Sequence, residues 1–233
     1  MNYTFQFGVL AQYQDQLLAG LWMTIQLSAF SIIVGTVFGI LFASLRSSGG
    51  IVRVLVDIYV EAIRNTPFLV QLFIIYFGLP TLGLRVDAVT AALIGMSINL
   101  TAYATEIIRA GIEAVHKSQI EAGEALGFTR FQVYRHVIIL PAIQKVYPAL
   151  CSQFVLMMLA SSICSAISTN ELTAAASFVQ SQSYRSFEVY IAITMVYLAL
   201  ALVMRGILAL IGVWLFGRRA GRGAIQPIVE ASA

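Results

Sequence analysis

Five long uncharged runs, each mainly apolar, divide the chain. Thirty residues without charge lie between Asp15 and Arg46, twenty between Arg64 and Arg85, and eighteen between Asp87 and Glu106. Twenty-five follow between Lys145 and Glu171, and sixteen between Glu188 and Arg205. About 20 such residues cross a bilayer as a helix. The runs are continuous rather than alternating, which disfavours a transmembrane barrel. The pattern therefore predicts an all-α membrane protein of one domain with five transmembrane helices, at about 20–45, 52–80, 88–115, 138–166 and 187–216. The last reaches length only by continuing past Arg205. The first is too long for the core of a signal peptide and follows no Lys or Arg, so it is expected to stay as a membrane helix. Residues 3–18 read as a short interfacial segment leading into it.

Local signals refine these spans. Gly35 and Gly39 have the small-xxx-small spacing that admits a close backbone, either within the chain or from another subunit. The second span is broken at 65–67, because Thr66-Pro67 reads as a helix cap followed by proline at the first helical position. Irregular backbone at this depth is tolerated only against protein or a watery cavity. Between the third and fourth spans lies the least hydrophobic stretch, 116–136. There Ser118 with Glu121, and Thr129 with Gln132, have the spacing of a reciprocal capping box, and Gly127 between them reads as a helix stop. The stretch is expected to form two short helices at an angle, with the fourth span starting at Pro141.

Composition agrees with the pattern. Charged residues are 11% of the chain against roughly 25% in soluble domains, apolar residues are 59%, and mean hydropathy is +0.86. Composition disfavours a soluble fold and excludes a disordered chain. Arg46, Arg53, Lys117, Arg130, Arg135, Lys145, Arg218, Arg219 and Arg222 fall in the segments on one side, and only Arg85 and Arg185 on the other. The positive-inside rule puts the N-terminus outside and the C-terminus inside. The net charge of +3 reflects this asymmetry and not a nucleic-acid partner. Cys151 and Cys164 both lie in the fourth apolar run and read as packing residues rather than a disulfide. A phosphate-cradling loop needs Gly-Lys-Ser/Thr, but Lys117 and Lys145 follow His116 and Gln144. The two histidines are twenty apart, so no HExxH zinc motif exists, and GxSxG is absent. No enzyme activity, cofactor or metal is expected on this chain.

Several ordered motifs resemble one family. Glu121-Ala122-Gly123, then Gly127, then Leu140-Pro141 resembles the "EAA…G…LP" loop of the permease subunits of bacterial ABC importers. Asn65-Thr66-Pro67-Phe68-Leu69-Val70-Gln71 with Tyr76-Phe77-Gly78-Leu79-Pro80 resembles the "RGTPLLVQ…YFGLP" of the branch that imports polar amino acids, the histidine and glutamine permease type. Ala102-Tyr103, Glu106 and Arg109 to Ile112 resemble its "AYxxExxRxGI". The resemblance implies a type I importer fold in the bacterial inner membrane, with a cytoplasmic coupling loop at 116–136 that docks on a separate ATPase subunit. ATP and magnesium would then belong to that subunit. A second permease subunit, the same chain or a sister, and a solute-binding protein would complete the assembly. The docking residues would be Glu121, Ala122, Gly123, Ala125, Leu126, Gly127, Phe128 and Phe131, with Ser118, Thr129 and Gln132 as caps. The chain departs from the family in three places. Gly123 replaces the motif's second alanine, one extra residue separates Gly127 from Leu140, and Leu159 to Ile163 lacks the family's Lys-Asp pair. A carrier driven by an ion gradient is the alternative reading.

Two sets of polar residues sit inside the predicted spans. Glu61 with Arg64, and Glu106 with Arg109, are three apart, the spacing of helix-surface ion pairs. Either they pair structurally, with Arg64 to Glu106 as a possible brace across helices, or they serve substrate or gating. Gln71, Asn99, Thr101, Tyr103, Gln153, Ser161 and Ser162 are the candidates for a substrate path, each of which could instead join helices.

Overall fold

A computed structural model describes residues 5–47 and 49–217, so Arg218, Arg219 and Arg222 lie outside the described residues. The described residues form helices joined by short turns and contain no strand. In chain order these are α1 (Val9–Gln12), α2 (Gln14–Ser47), α3 (Gly50–Arg64), α4 (Phe68–Thr81), α5 (Ala88–Glu113) and α6 (Lys117–Ala125). After them come α7 (Arg130–Gln132), a π-helical turn Val133–Ile139, α8 (Leu140–Ala160), a 3-10 segment Ser161–Ile167, α9 (Leu172–Ser183) and α10 (Ser186–Phe216). Four stretches are long and apolar enough to cross a membrane: Gln14–Arg46, Ala88–Glu113, Pro141–Ile167 and Ser186–Phe216. The broken pair α3 and α4 makes a fifth if counted as one span, and its two halves meet at 105°.

The first span begins earlier than the apolar pattern indicates. Asp15 sits in the first turn of α2, where a carboxylate faces the positive end of the helix dipole and is favourable. The charge that bounds the run therefore lies inside the helix. Gly35 and Gly39 serve packing within the chain. A Cβ at Gly35 would come within 2.8 Å of Leu100, and one at Gly39 within 2.6 Å of Ala104, so these glycines let α2 lie directly against α5. Leu27, Leu72, Met96, Leu100 and Met157 fill the main core, and a second cluster around Leu172, Val179 and Val189 joins α9 to α10. Most of α10 stays exposed and apolar on all sides, the pattern of a lipid-facing helix. Both cysteines are free thiols.

One expected cap changes, and one span proves to continue a longer helix. Thr66 does not cap α4: Pro67 holds the cap position with extended backbone, and Thr66 Oγ1 donates back to the Ala62 carbonyl at 2.8 Å. The residue before a proline is pushed out of helical geometry, so α3 ends at Arg64 and its last carbonyls are met from behind. The fourth span starts at Pro141 as expected, but it continues a longer helix. The helix runs without interruption from Arg130 to Ile167, and Pro141 lies in the first turn of α8. A π-helical turn closes each hydrogen-bonded ring with one more residue than an α turn. The segment Val133–Ile139 thus absorbs the extra residue between Gly127 and Leu140 without ending the helix.

Candidate functional site

The loop 114–132 is built around two caps and a stop. His116 caps α6, its Nδ1 accepting from the Ser118 backbone N–H at 3.3 Å and lying 2.7 Å from Ser118 Oγ. Ser118 is consequently inside the helix, and the expected box between Ser118 and Glu121 does not form. The imidazole, two residues upstream, reaches the donor first. Gly127 stops the helix at φ +80, with the Phe128 N–H donating to Gly123 O at 3.1 Å and the Gly127 N–H to Glu124 O at 2.9 Å. This is the paired closure that favours glycine in the left-handed region. Thr129 and Gln132 do close a reciprocal box: the Thr129 N–H donates to Gln132 Oε1 at 2.9 Å, and the Gln132 N–H to Thr129 Oγ1 at 3.3 Å. Thr129→Ala is expected to cost about 1 kcal/mol of local stability, read as faster amide exchange at Phe131 to Val133.

Gly123, the departure from the alanine of the motif, is buried against the π-helical turn. A Cβ there would stand 3.2 Å from Val137 and 3.3 Å from Val133. The extra residue and the missing methyl meet at one place. Outward, the loop shows apolar side chains: Leu126 is 76% exposed, Phe131 70% and Phe128 40%. Glu121, Ala122 and Ala125 are exposed beside them. Large exposed hydrophobics on the least apolar stretch of the chain form a patch of the kind that marks interaction sites.

At the end of α5 nearest this loop, an ion network joins three helices. Arg46, near the end of α2, donates from Nη1 to Glu106 Oε2 at 2.8 Å and pairs through Nε with Asp57 of α3. Arg109 donates from Nε to Glu106 Oε2 at 3.1 Å and also pairs with Glu113. The expected brace from Arg64 to Glu106 is absent. The Arg64 guanidinium lies over the Tyr103 ring, 5.6 Å from its centre. Glu61 does not pair with Arg64 either: its carboxylate accepts from Asn65 Nδ2 at 2.7 Å. Close packing at Gly35 and Gly39 explains the choice, because it brings Arg46, two turns further along the same face, level with Glu106.

The polar residues at membrane depth split into separate groups. Gln71 is buried, and its Nε2 donates to Ile63 O at 2.7 Å, to Thr66 O at 3.1 Å and to Thr66 Oγ1 at 2.8 Å. Its Oε1 accepts from Asn99 Nδ2 at 3.0 Å. These bonds satisfy carbonyls left over at the end of α3 and tie the break to α5. Thr101 donates to Ser97 O at 2.8 Å, Ser161 to Met158 O at 2.6 Å and Ser162 to Leu159 O at 2.7 Å. Gln153 is partly exposed on α8. Ser162 also lines a cleft of about 400 Å³ with Thr194 and Tyr197 of α10.

The sequence reading misses two buried carboxylates. Glu171 caps α9, accepting from the Thr173 N–H at 2.9 Å, the Ala174 N–H at 2.8 Å and Tyr197 Oη at 2.8 Å. The signal was available, since an acid directly before a helical stretch is a cap. Glu188 accepts from the Gln6 N–H at 3.1 Å and lies 3.6 Å from Arg185 Nη1, fastening the N-terminal segment to α10. Burial pushes the Glu171 carboxyl above the usual carboxylate range, and its donors only partly offset this. A folded-state value raised above the unfolded one, about 4.3, means that stability is greatest below that unfolded value and falls as pH rises through the raised one. In thermal unfolding of the detergent-solubilised protein, Glu171→Gln should therefore gain on the wild type as pH rises through the range above about 4.3. A constant difference across that range would refute this.

A family model described as binding-protein-dependent transport system inner membrane component matches residues 35–215. A glutamine transport system permease protein of Escherichia coli (strain K12) is 35% identical over 195 residues, covering 82% of this chain and 89% of the relative. An octopine transport system permease protein of Rhizobium meliloti is 36% identical over 208 residues, covering 84% of each. A crystal structure of an amino acid ABC transporter with histidines superposes with a TM-score of 0.84 at 38% identity, over 93% of this chain and 100% of that one. An inward-facing methionine ABC transporter shares the fold with a TM-score of 0.68 at 18% identity.

Proposed function

Because the chain belongs to the family of binding-protein-dependent transport system inner membrane components, we propose that its exposed helical loop is where a separate ATPase subunit docks. The chain is a multi-pass permease subunit of an amino-acid ABC importer, a membrane component and not itself an enzyme. It has the type I importer permease fold. The substrate is read as a polar amino acid or a derivative of one, in keeping with the glutamine and octopine permeases it resembles. The observation that carries the docking reading is the apolar triad Leu126, Phe128 and Phe131, exposed on a loop rigidly closed at Gly127. Aromatic and aliphatic anchors of this kind fill a partner's groove.

In this reading ATP and magnesium are held by the ATPase subunit. A second permease subunit completes the path, and a solute-binding protein delivers substrate from the opposite side. The loop side is cytoplasmic, with the N-terminus outside and the C-terminus inside, supported by the excess of Lys and Arg in the segments on that side. Closure of the ATPase subunits would move α6 and α7, open the path outward, and accept substrate. Hydrolysis would restore the inward-facing state. The relatives named above are ABC permeases, and none supports a carrier driven by an ion gradient. Uptake by proteoliposomes is the test: it should require ATP, the ATPase subunit and the binding protein together. Uptake by this chain alone on an ion gradient would overturn the assignment.

A further inference from the structure

A large apolar cavity lies between α2, α3 and α5, apart from the loop. It is a trough of about 730 Å³, with Phe38, Phe42, Leu45, Leu55, Ile94 and Ile98 among its walls. Four lining residues carry hydroxyls, and three of these are turned to internal partners. Tyr59 Oη donates to Ile98 O at 2.7 Å, Thr101 Oγ1 to Ser97 O at 2.8 Å, and Thr90 Oγ1 bonds to Asp87. Ser97 Oγ, the fourth, is buried. The trough therefore suits hydrocarbon and gives little to a polar solute. Along α2 it runs from Phe30 to Leu45, roughly 22 Å at 1.5 Å per residue, more than half of a hydrocarbon core about 30 Å thick.

At the Leu45 end the chemistry changes within one turn. A smaller pocket of about 180 Å³, set between the ends of α2 and α5 and the start of α3, has Arg46, Arg53 and Arg109 in its walls. Two of these arginines are held by carboxylates, Arg46 by Asp57 and Glu106 and Arg109 by Glu106 and by Glu113 in the wall itself, so Arg53 is the cation left most available to a ligand. Arg53 is 62% exposed and holds Asp57 only at 3.7 Å. Phe42, Leu45 and Val52 line the trough, and Ala43, Arg46 and Arg53, their sequence neighbours, line the pocket. An apolar channel of acyl length thus ends in an arginine-lined pocket in which Arg53 is the exposed, loosely paired cation.

We propose that trough and pocket together bind one anionic phospholipid, with an acyl chain in the trough and the phosphate against Arg53 and its neighbours. A zwitterionic lipid fills the trough equally well but gains less at the pocket, so headgroup charge sets the preference. Bound there, the lipid would fill the angle between α3 and the pair of α2 and α5.

The test uses the protein in its native complex, extracted in mild detergent, stripped of lipid and titrated with dioleoylphosphatidylglycerol or dioleoylphosphatidylcholine. Bound lipids are counted by native mass spectrometry. Phosphatidylglycerol should be retained about fivefold more tightly than phosphatidylcholine for each arginine engaged. Arg53→Gln should remove most of that preference and leave phosphatidylcholine binding intact. Leu55→Trp, which fills the trough from an exposed position, should lower retention of both. Equal retention of the two lipids by the wild type would overturn the site, as would retention indifferent to both substitutions. Displacement of phosphatidylglycerol by inorganic phosphate alone would show an anion pocket without an acyl site. Efficient cross-linking of Leu55→Cys to the other permease subunit would show the trough filled by protein. Either result defeats the proposal.

Discussion

Replacing Leu126 and Phe131 together by glutamate is expected to abolish ATP-driven uptake while leaving the membrane helices folded. Both side chains are more than two-thirds exposed and neither belongs to the core clusters, so the helices should not depend on them. Their loss should be felt only by a partner. Buried aromatic and aliphatic anchors at interfaces are worth about 2 kcal/mol or more each, so removing two weakens docking roughly a thousandfold. New carboxylates in an apolar groove weaken it further. Binding of the purified ATPase subunit to the permease in nanodiscs reads the effect directly. Unchanged binding, with uptake lost or kept, would show that the loop is not the docking surface. A lower melting temperature of the permease alone would show that these side chains support the fold instead.

Gln71→Ala carries the second large effect, and it falls on stability rather than on substrate affinity. The side chain donates to two carbonyls and a hydroxyl around the helix break and accepts from Asn99. Removing it leaves the buried Asn99 and the half-buried carbonyl of Ile63 without these bonds. Each buried polar group so stranded costs about 1–3 kcal/mol, moderated in membranes where unfolded helices find other partners. A total of roughly 2–4 kcal/mol is expected. Gln71→Leu with Asn99→Leu removes both amides and should recover part of this. Thermal unfolding in detergent measures the loss, and the substrate dependence of uptake supplies the contrast. If the melting temperature is unchanged while the substrate concentration for half-maximal uptake rises, Gln71 is a ligand contact and the structural reading fails.

The spans, the break at 65–67 and the loop were legible because each has a local cause: run length, a proline, a glycine stop. What escaped depends on distance. Arg46 looks like a loop charge because it ends an apolar run, yet it is the link between α2, α3 and α5. Only the close approach at Gly35 and Gly39 reveals this, and one sequence could not say whether that approach lay within the chain. Likewise Ser118 has the right spacing for a capping box, but spacing is silent about a competing acceptor, and His116 is that competitor. Glu171 also ends an apolar run, and its place as a boundary hides its role as the cap of α9. The substrate path was the least legible, since Gln71, Asn99, Thr101, Ser161 and Ser162 all bond internally, and polar residues at depth look alike whether they hold helices or ligands.

The uninterrupted helix from Arg130 to Ile167 has a mechanical meaning. Phe131, on the surface read as the motor's seat, and Ser161 and Ser162, across the bilayer, belong to one shaft. The shaft changes winding twice, at the π-helical turn and at the 3-10 segment, and carries Pro148 within α8, whereas α6 is set off from it by the stop at Gly127. Lys145, bonded to the Ala114 carbonyl, is where the shaft bears on the end of α5. If the loop is the docking surface, its movement would pass to the fourth span along this helix, and the π-helical turn is the section of the shaft with the widest winding.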